Sequence, residues 1–304
     1  MTQLLNALPG ALAQGLIWGV MAIGVYITYK VLDIADLTVD GSICTGAAVC
    51  TMLLLGGQSP WLALLCAVLA GVLAGAVTGL LHVGLGIPPI LAGILTQMVL
   101  WSVNLKLLGK ANQALPARTT PVLLSQMDVG GALPVLLGFC VVLVALLVLF
   151  FGTELGCALR ATGCNPVMSR AQGVNTGLMK VVGLALSNGV VALSGALLCQ
   201  YQGYTDVNMG RGAVVIGLAA VVIGQAVLGR RGGRMAVQLG GVILGAVIYY
   251  IVYQVIIFAG FDTDLLKMFS AVVVAVFLGA PHVKAQLKAN SRSKKGDSGH
   301  AENE

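Results

Sequence analysis

The chain has 304 residues, of which 58% are hydrophobic and only 9% charged, with a formal net charge of +6. A soluble domain carries about 25% charged residues, so this composition excludes an ordinary cytosolic enzyme, a disordered protein and a nucleic-acid binder. It fits an all-α polytopic membrane protein. At about 20 residues per span, the length admits roughly eight to ten helices with short loops.

The first apolar run covers about Leu12 to Val31. No Lys or Arg precedes Lys30, so the run lacks the positive flank of a signal peptide and reads as a permanent span. A polar knot follows: Asp33, Asp36, Thr38, Asp40, Gly41, Ser42. The second run, Ile43 to Leu55, is short for a full span. The third, Trp61 to Leu85, opens at Pro60, and the fourth, Ile90 to Leu108, opens at Pro88-Pro89. A loop with Lys110, Arg118 and Asp128 leads to the fifth run, Leu133 to Phe151. A long polar stretch, 153–177, separates it from the sixth run, Leu178 to Cys199. The seventh is Ala213 to Leu228, the eighth Met235 to Phe258 and the ninth Leu265 to Ala280. Residues 1–283 thus read as one transmembrane domain, and 284–304, polar and mixed in sign, as a disordered tail.

Orientation follows from the basic residues, which favour the cytoplasmic side. Arg160 with Arg170, then Arg230, Arg231 and Arg234, then the Lys-rich tail are separated by pairs of runs, so all three face the cytoplasm. Counting back puts the N-terminus outside, the C-terminus inside and the first knot at the cytoplasmic side. Lys110 and Arg118 then fall on the outer face, against the rule.

The 41 glycines serve close helix packing. Gly71, Gly75 and Gly79 share one face of the third run, and Gly240, Gly241 and Gly245 do similar work in the eighth. Of seven cysteines, only Cys157 and Cys164 lie in a polar loop; the others read as small buried thiols, with no metal and no disulfide.

Two polar breaks look alike. The first run ends in Asp36-Leu37-Thr38-Val39-Asp40-Gly41 and the sixth in Asp206-Val207-Asn208-Met209-Gly210, and each precedes a short, small-residue-rich run. The topology sets the first break inside and the second outside. That predicts an inverted repeat of two four-helix halves, runs one to four and six to nine, with a transport path at their interface. A match this short also arises by chance. Asp33, Asp36 and Asp40 share one helical face; they line the path, or Asp40 or Ser42 caps the second run while Lys30 offsets a charge. In the outer stretch from Gln200 to Gly212, Asp206 and Arg211 are placed to pair, or the stretch forms the rim of a path. The 153–177 stretch reads as short amphipathic helices broken at Gly163 and Pro166, lying on lipid headgroups or docking on a partner.

No His/Glu metal spacing, phosphate loop or Ser/His/Asp set stands out. The chain reads as a non-enzyme without a cofactor of its own, and active transport then needs a partner or an ion gradient. An ion-coupled secondary carrier would have Asp33, Asp36, Asp40 and Asp206 for its site; a scaffold without transport needs none.

Four segments carry a resemblance: GLIWGVMAIGVYITYKVLDIADLTVDGS, ALRATGCNPVMSRAQGVNT, GLALSNGVVALSGALLCQYQGYTDVNMGRG and VVIGLAAVVIGQAVLG. They resemble the permease subunits of bacterial ATP-binding cassette (ABC) importers of the branched-chain amino acid and ribose type. They are nearest the uncharacterised-permease branch that works with lipoprotein-like binding proteins. The resemblance implies a multi-pass subunit of the bacterial cytoplasmic membrane, paired with a second permease subunit, served by ABC ATPase subunits that use the ATP, and fed by an external binding protein. It implies coupling to the ATPase at Leu159, Arg160, Asn165 and Pro166, and a path near Asp36, Thr38, Asp40, Ser42, Asp206 and Asn208. The implied solute is small, with an amino acid favoured. Gln225 departs from the family, which has an acid after the Ile223-Gly224 pair.

Overall fold

The computed structural model describes residues 2–116, 120–228 and 234–258, with isolated helical positions at 268, 272 and 275. The rest of the ninth run, the tail, Arg118, Arg230 and Arg231 lie outside the described residues. The described chain is all-α apart from two three-residue strands. Its helices are α1 (Thr2–Tyr26, prolonged by a wide turn Ile27–Val31), α2 (Val39–Leu55), α3 (Pro60–Gly84), α4 (Pro89–Leu108), α5 (Val129–Gly152), α6 (Glu154–Cys164), α7 (Pro166–Ala171), α8 (Thr176–Gln202), α9 (Ala213–Leu228) and α10 (Met235–Phe258). The strands are β1 (Asn112–Ala114) and β2 (Tyr204–Asp206).

Six helices among the described residues are long and apolar enough to cross a membrane: Leu8–Val31, α3, α4, α5, α8 and α10. At 17 and 16 residues, α2 and α9 are each roughly 25 Å long, short of the ~30 Å hydrocarbon core. Eight of the nine expected runs are therefore helices, two of them shorter than a full span.

The helix ends follow local chemistry. Ser59 caps α3, which has Pro60 in its first turn; Asp128 caps α5, Thr153 caps α6, Asn165 caps α7 and Asn175 caps α8. Gly109 and Gly203 end α4 and α8 with φ of 69° and 76°, the left-handed stop that glycine adopts without strain. His82 Nδ1 donates to the Ile87 carbonyl across the α3–α4 turn at 2.8 Å, while Lys180 Nζ donates to its Nε2 at 3.2 Å.

Two helices form the axis of the bundle. α8 is packed by α1, α2 and α3, and α1 by α5, α9 and α10. Glycines permit this approach: Gly71, Gly75 and Gly79 of α3 face the α8 backbone at Asn188, Leu184 and Val181, as Gly245 of α10 faces Ala220 of α9.

The bundle has two distinct ends. At one, β1 pairs antiparallel with β2, Asn112 opposite Asp206 and Ala114 opposite Tyr204. The loop after β1 then closes over the end of α8: Leu115 N–H donates to Gly203 O (2.8 Å), Gln126 N–H to Tyr201 O (3.0 Å), and Leu115 and Leu124 are buried beneath it. At the other end α6 and α7 lie across the foot of α1 and α8. α6 continues through Gly163, so the break falls at Asn165-Pro166 alone, not also at Gly163 as the residue pattern suggested.

Candidate functional site

After Val31 the chain turns back on itself. Asp33 takes φ 56°, a conformation Asp tolerates better than most residues, and Ile34 N–H returns to Thr28 O at 2.9 Å. Leu32 packs at Gly183 of α8; four residues later Asp36 is level with Asn188. The step from Gly183 to Asn188 is roughly 7 Å along α8. Asn188 lies midway along α8, so the first break re-enters the bundle to its middle.

A polar network forms there. Asn188 Nδ2 donates to Asp36 Oδ2 at 2.7 Å, and Ser42 Oγ donates to Asn188 Oδ1 at 2.6 Å. Thr38 N–H donates to Asp36 Oδ1 at 2.8 Å. The Thr38 hydroxyl meets Thr78 of α3 at 2.8 Å, and Thr78 donates to Thr96 of α4 at 2.9 Å. All six side chains are buried. Four separate segments are thus joined by polar contacts in an otherwise apolar interior.

The second break comes down from the opposite end to meet the first. Thr205 and Thr51 hydroxyls lie 2.7 Å apart near the end of α2. Lower down, Gly210 N–H donates to Cys44 Sγ at 3.1 Å. Gly212 and Val214 N–H donate to Asp40 Oδ2 and Oδ1, each at 3.0 Å. From Thr51 to Asp40 is roughly 16 Å along α2, so the second break descends by about that much and α9 begins deep in the bundle.

This corrects two expectations. The breaks begin at opposite ends but do not stay there; they converge, and the N-termini of α2 and α9 meet. Asp40 and Ser42 do not cap α2, whose N-cap Thr38 makes no side-chain cap bond. Asp40 instead caps α9, 172 and 174 residues away, with its charge on the positive end of that helix.

Of the expected path residues, Asp36, Thr38, Asp40 and Ser42 are therefore close together. Asp206 and Asn208 lie above them: Asp206, half-buried, accepts the Asn208 N–H at 2.6 Å, and Asn208 is exposed. Among the described residues no ion pair joins Asp206 to Arg211. Asp36 and Asp206 close the same turn, each on the N–H two residues on.

Beside the convergence lies a cavity of about 580 Å³. Its walls are Asp40, Gly41 and Cys44 of α2, Gln97, Trp101, Ser102 and Asn104 of α4, and Val207 and Arg211 of the second break. The volume is in the range of small-molecule sites, about 300–1,000 Å³. Sequence reasoning missed Thr78, Thr96, Gln97, Trp101, Asn104 and Asn188. The available signal was a polar residue inside an apolar run, which singles out Asn104 and Asn188.

At the α6–α7 end, Leu159 is buried against Leu32 and Gly183, and Gly163 abuts the Val31 carbonyl. Leu159 is therefore not on the exposed face; it anchors α6 to the foot of α1. Arg160, Asn165 and Pro166 are exposed. Asn165 Oδ1 accepts the N–H of Val167 (3.1 Å) and Met168 (3.0 Å). Leu155, Val167 and Met168 are exposed at 54%, 77% and 58%. Arg170 Nε donates to Thr176 Oγ1 at 2.7 Å, fixing the exit into α8. Gln225 is exposed on α9.

Residues 8–280 match the family described as "Branched-chain amino acid transport system / permease component". The chain belongs to this permease family. A tyrosine transport system permease protein of Clostridioides difficile (strain R20291) is 37% identical over 287 residues, 93% of this chain and 94% of that one. An uncharacterised protein of Rickettsia prowazekii (strain Madrid E) is 33% identical over 279 residues, 91% of this chain and 98% of that one. The autoinducer 2 import system permease protein of Escherichia coli (strain K12 / DH10B) is 29% identical over 216 residues, 67% of this chain and 60% of that one. No solved structure matches. This is an ABC transporter permease, a multi-pass transport subunit of the inner membrane.

Proposed function

We propose that this permease imports a small solute, an amino acid, delivered at its outer face by a binding protein and released to the cytoplasm by ATP-driven movement of partner subunits. The observation that carries the reading is the buried contact of Leu159 with Leu32 and Gly183. It ties the exposed α6–α7 patch to the re-entrant segment that holds Asp36. A push on that patch reaches the polar convergence through packed side chains. The amino-acid assignment is supported by the 37% identity to a permease named for tyrosine transport.

In this reading α6 and α7 are the coupling helices. Arg160, Pro166 and the apolar Val167–Met168 pair meet the ATPase, Asn165 holds the start of α7, and Leu159 acts from behind by packing. The loop over α8 and the β1–β2 ladder form the rim that meets the binding protein. The two halves form an inverted repeat: α3 packs on α8 as α10 packs on α1, and Asp36 and Asp206 close matching turns. A second permease copy or sibling completes the path.

Orientation is tested with the chain's own thiols. Cys157 and Cys164 are exposed on α6, while Cys44, Cys50, Cys140 and Cys199 are buried. A membrane-impermeant maleimide is expected to label the α6 pair in inverted vesicles and to leave it unlabelled in intact cells. The opposite pattern overturns the N-out, C-in assignment.

Partnership is tested by mild-detergent purification of the tagged chain from its native membranes. A stoichiometric ABC ATPase is expected, lost when Val167 and Met168 are both changed to Asp while the chain stays inserted. A chain that purifies alone, with uptake that follows an ion gradient and ignores ATP, favours the secondary-carrier reading.

A further inference from the structure

Asn104 of α4 is fully buried, yet neither its Oδ1 nor its Nδ2 has a hydrogen-bond partner. It stands apart from the other buried polar residues of this region. Thr38, Ser42, Thr78, Thr96 and Asn188 are all bonded. Leaving both ends of a buried amide unmet is costly, so such a group in a native fold asks for an explanation. Its position supplies one. The inward stripe of α4 runs Ala92, Thr96, Asn104, Leu108, and Asn104 lines the cavity of about 580 Å³ beside Asp40.

We propose that Asn104 is the hydrogen-bonding anchor of a solute site inside the permease, selecting solutes that present a donor and an acceptor side by side. This rests on the import reading and adds to it a binding step within the membrane subunit itself. The amide has one acceptor and two donor hydrogens. A solute that both gives and takes satisfies the two ends together, as the ammonium and carboxylate of an amino acid do. The remaining walls agree with that head group. Arg211 brings a guanidinium for a carboxylate and Asp40 a carboxylate for an ammonium. Trp101, 44% exposed, offers a flat apolar face for the rest of the solute.

The test uses the full chain in lipid nanodiscs, with tritiated L-tyrosine and L-leucine as probes. The competitors are tyramine, which lacks the carboxylate, and 3-(4-hydroxyphenyl)propionate, which lacks the ammonium. Saturable binding of at least one amino acid is expected, with both analogues competing poorly. Asn104→Leu keeps the shape and removes both polar atoms; it is expected to weaken binding about ten-fold, the size of a lost hydrogen-bond pair. Its Tm should be equal or higher, because an unmet polar group has gone. Asn104→Asp keeps an acceptor for the ammonium and repels a carboxylate, so tyramine should compete as well as tyrosine.

Unchanged affinity and competitor profile in both variants overturn the proposal. So does a lower Tm with loss of co-purifying ATPase in Asn104→Leu, which would make the residue structural. If neither probe binds but ATP-driven amino-acid uptake persists in vesicles, the anchor is wrong and the import reading stands. If no ATPase partner and no uptake are found, the import reading falls; binding that remains sensitive to Asn104 would still uphold the site.

Discussion

Replacing Asp40 with Ala is expected to leave the chain in the membrane and to cut solute uptake ten-fold or more. Asp40 is the acceptor for the N–H of Gly212, just before α9, and for that of Val214 in its first turn. Loss of a helix cap costs about 0.5–2 kcal/mol in water. A charge on a partly buried helix N-terminus adds up to about 2 kcal/mol. Gly212 is exposed and Val214 half-buried, so the freed N–H groups are only partly shielded and the cost stays within that range. The effect is also directional. α9 starts where the second break meets α2, so a loosened start uncouples the two breaks from each other. Asp40→Asn keeps one acceptor oxygen and loses the charge, and its uptake should fall between Ala and wild type. Hydrogen exchange supplies the structural readout: the amides of Gly212 and Val214 should exchange faster in both variants, most in Ala. Wild-type exchange there in Asp40→Ala would show that the cap is not what holds α9.

Much of this architecture was legible in the residues. Runs three to eight match α3–α5 and α8–α10 because proline, glycine and capping residues mark their ends: Pro60, Pro88-Pro89, Gly109, Asn175, Gly203. The second and seventh runs are short in the sequence, and they are the two helices whose N-termini meet inside. What composition could not carry was the third dimension. An Asp in a polar knot reads as a path residue or as a cap of the next helix, and hydropathy does not separate the two because it does not show a segment that re-enters. Nothing local to Asp40 points to a partner 172 residues away. The same holds for Thr78 and Thr96, which look like ordinary small residues in apolar helices until Thr38 is set between them. Leu159 shows the converse. A motif places it in the loop, and only packing shows that it faces inward.

The second large effect is expected at Asn188, and it can be measured as a coupling. Asn188→Leu leaves Asp36 Oδ2 and Ser42 Oγ without the partners they have now, 2.7 Å and 2.6 Å away. Asp36 and Asn188 are both buried, at 6% and 0% exposure. Removing one partner of a buried polar pair is costly, about 1–3 kcal/mol for a neutral group and more when the survivor is charged. Asn188→Leu should therefore lower thermal stability sharply, read as the temperature at which half the detergent-solubilised chain aggregates. Asp36→Leu alone should also destabilise, because it strands the Asn188 Nδ2 hydrogen. The double substitution removes both ends, so its loss should fall short of the sum by about 1–3 kcal/mol. Strict additivity would mean that the two side chains do not depend on each other in the membrane. Asp36→Asn separates structure from transport. Its Oδ1 still accepts the Thr38 N–H, and a turned-over Asn188 amide can accept from the new Nδ2 while donating to Ser42, at the cost of its 2.9 Å bond to Leu184 O. The fold should then survive with a smaller loss of stability than Asn188→Leu. Uptake should drop by more than assembly, because the carboxylate charge is lost while most of the hydrogen-bond network is kept. A stable, fully active Asp36→Asn variant would reduce Asp36 to a scaffold and move the transport role to the Asp40 side of the convergence.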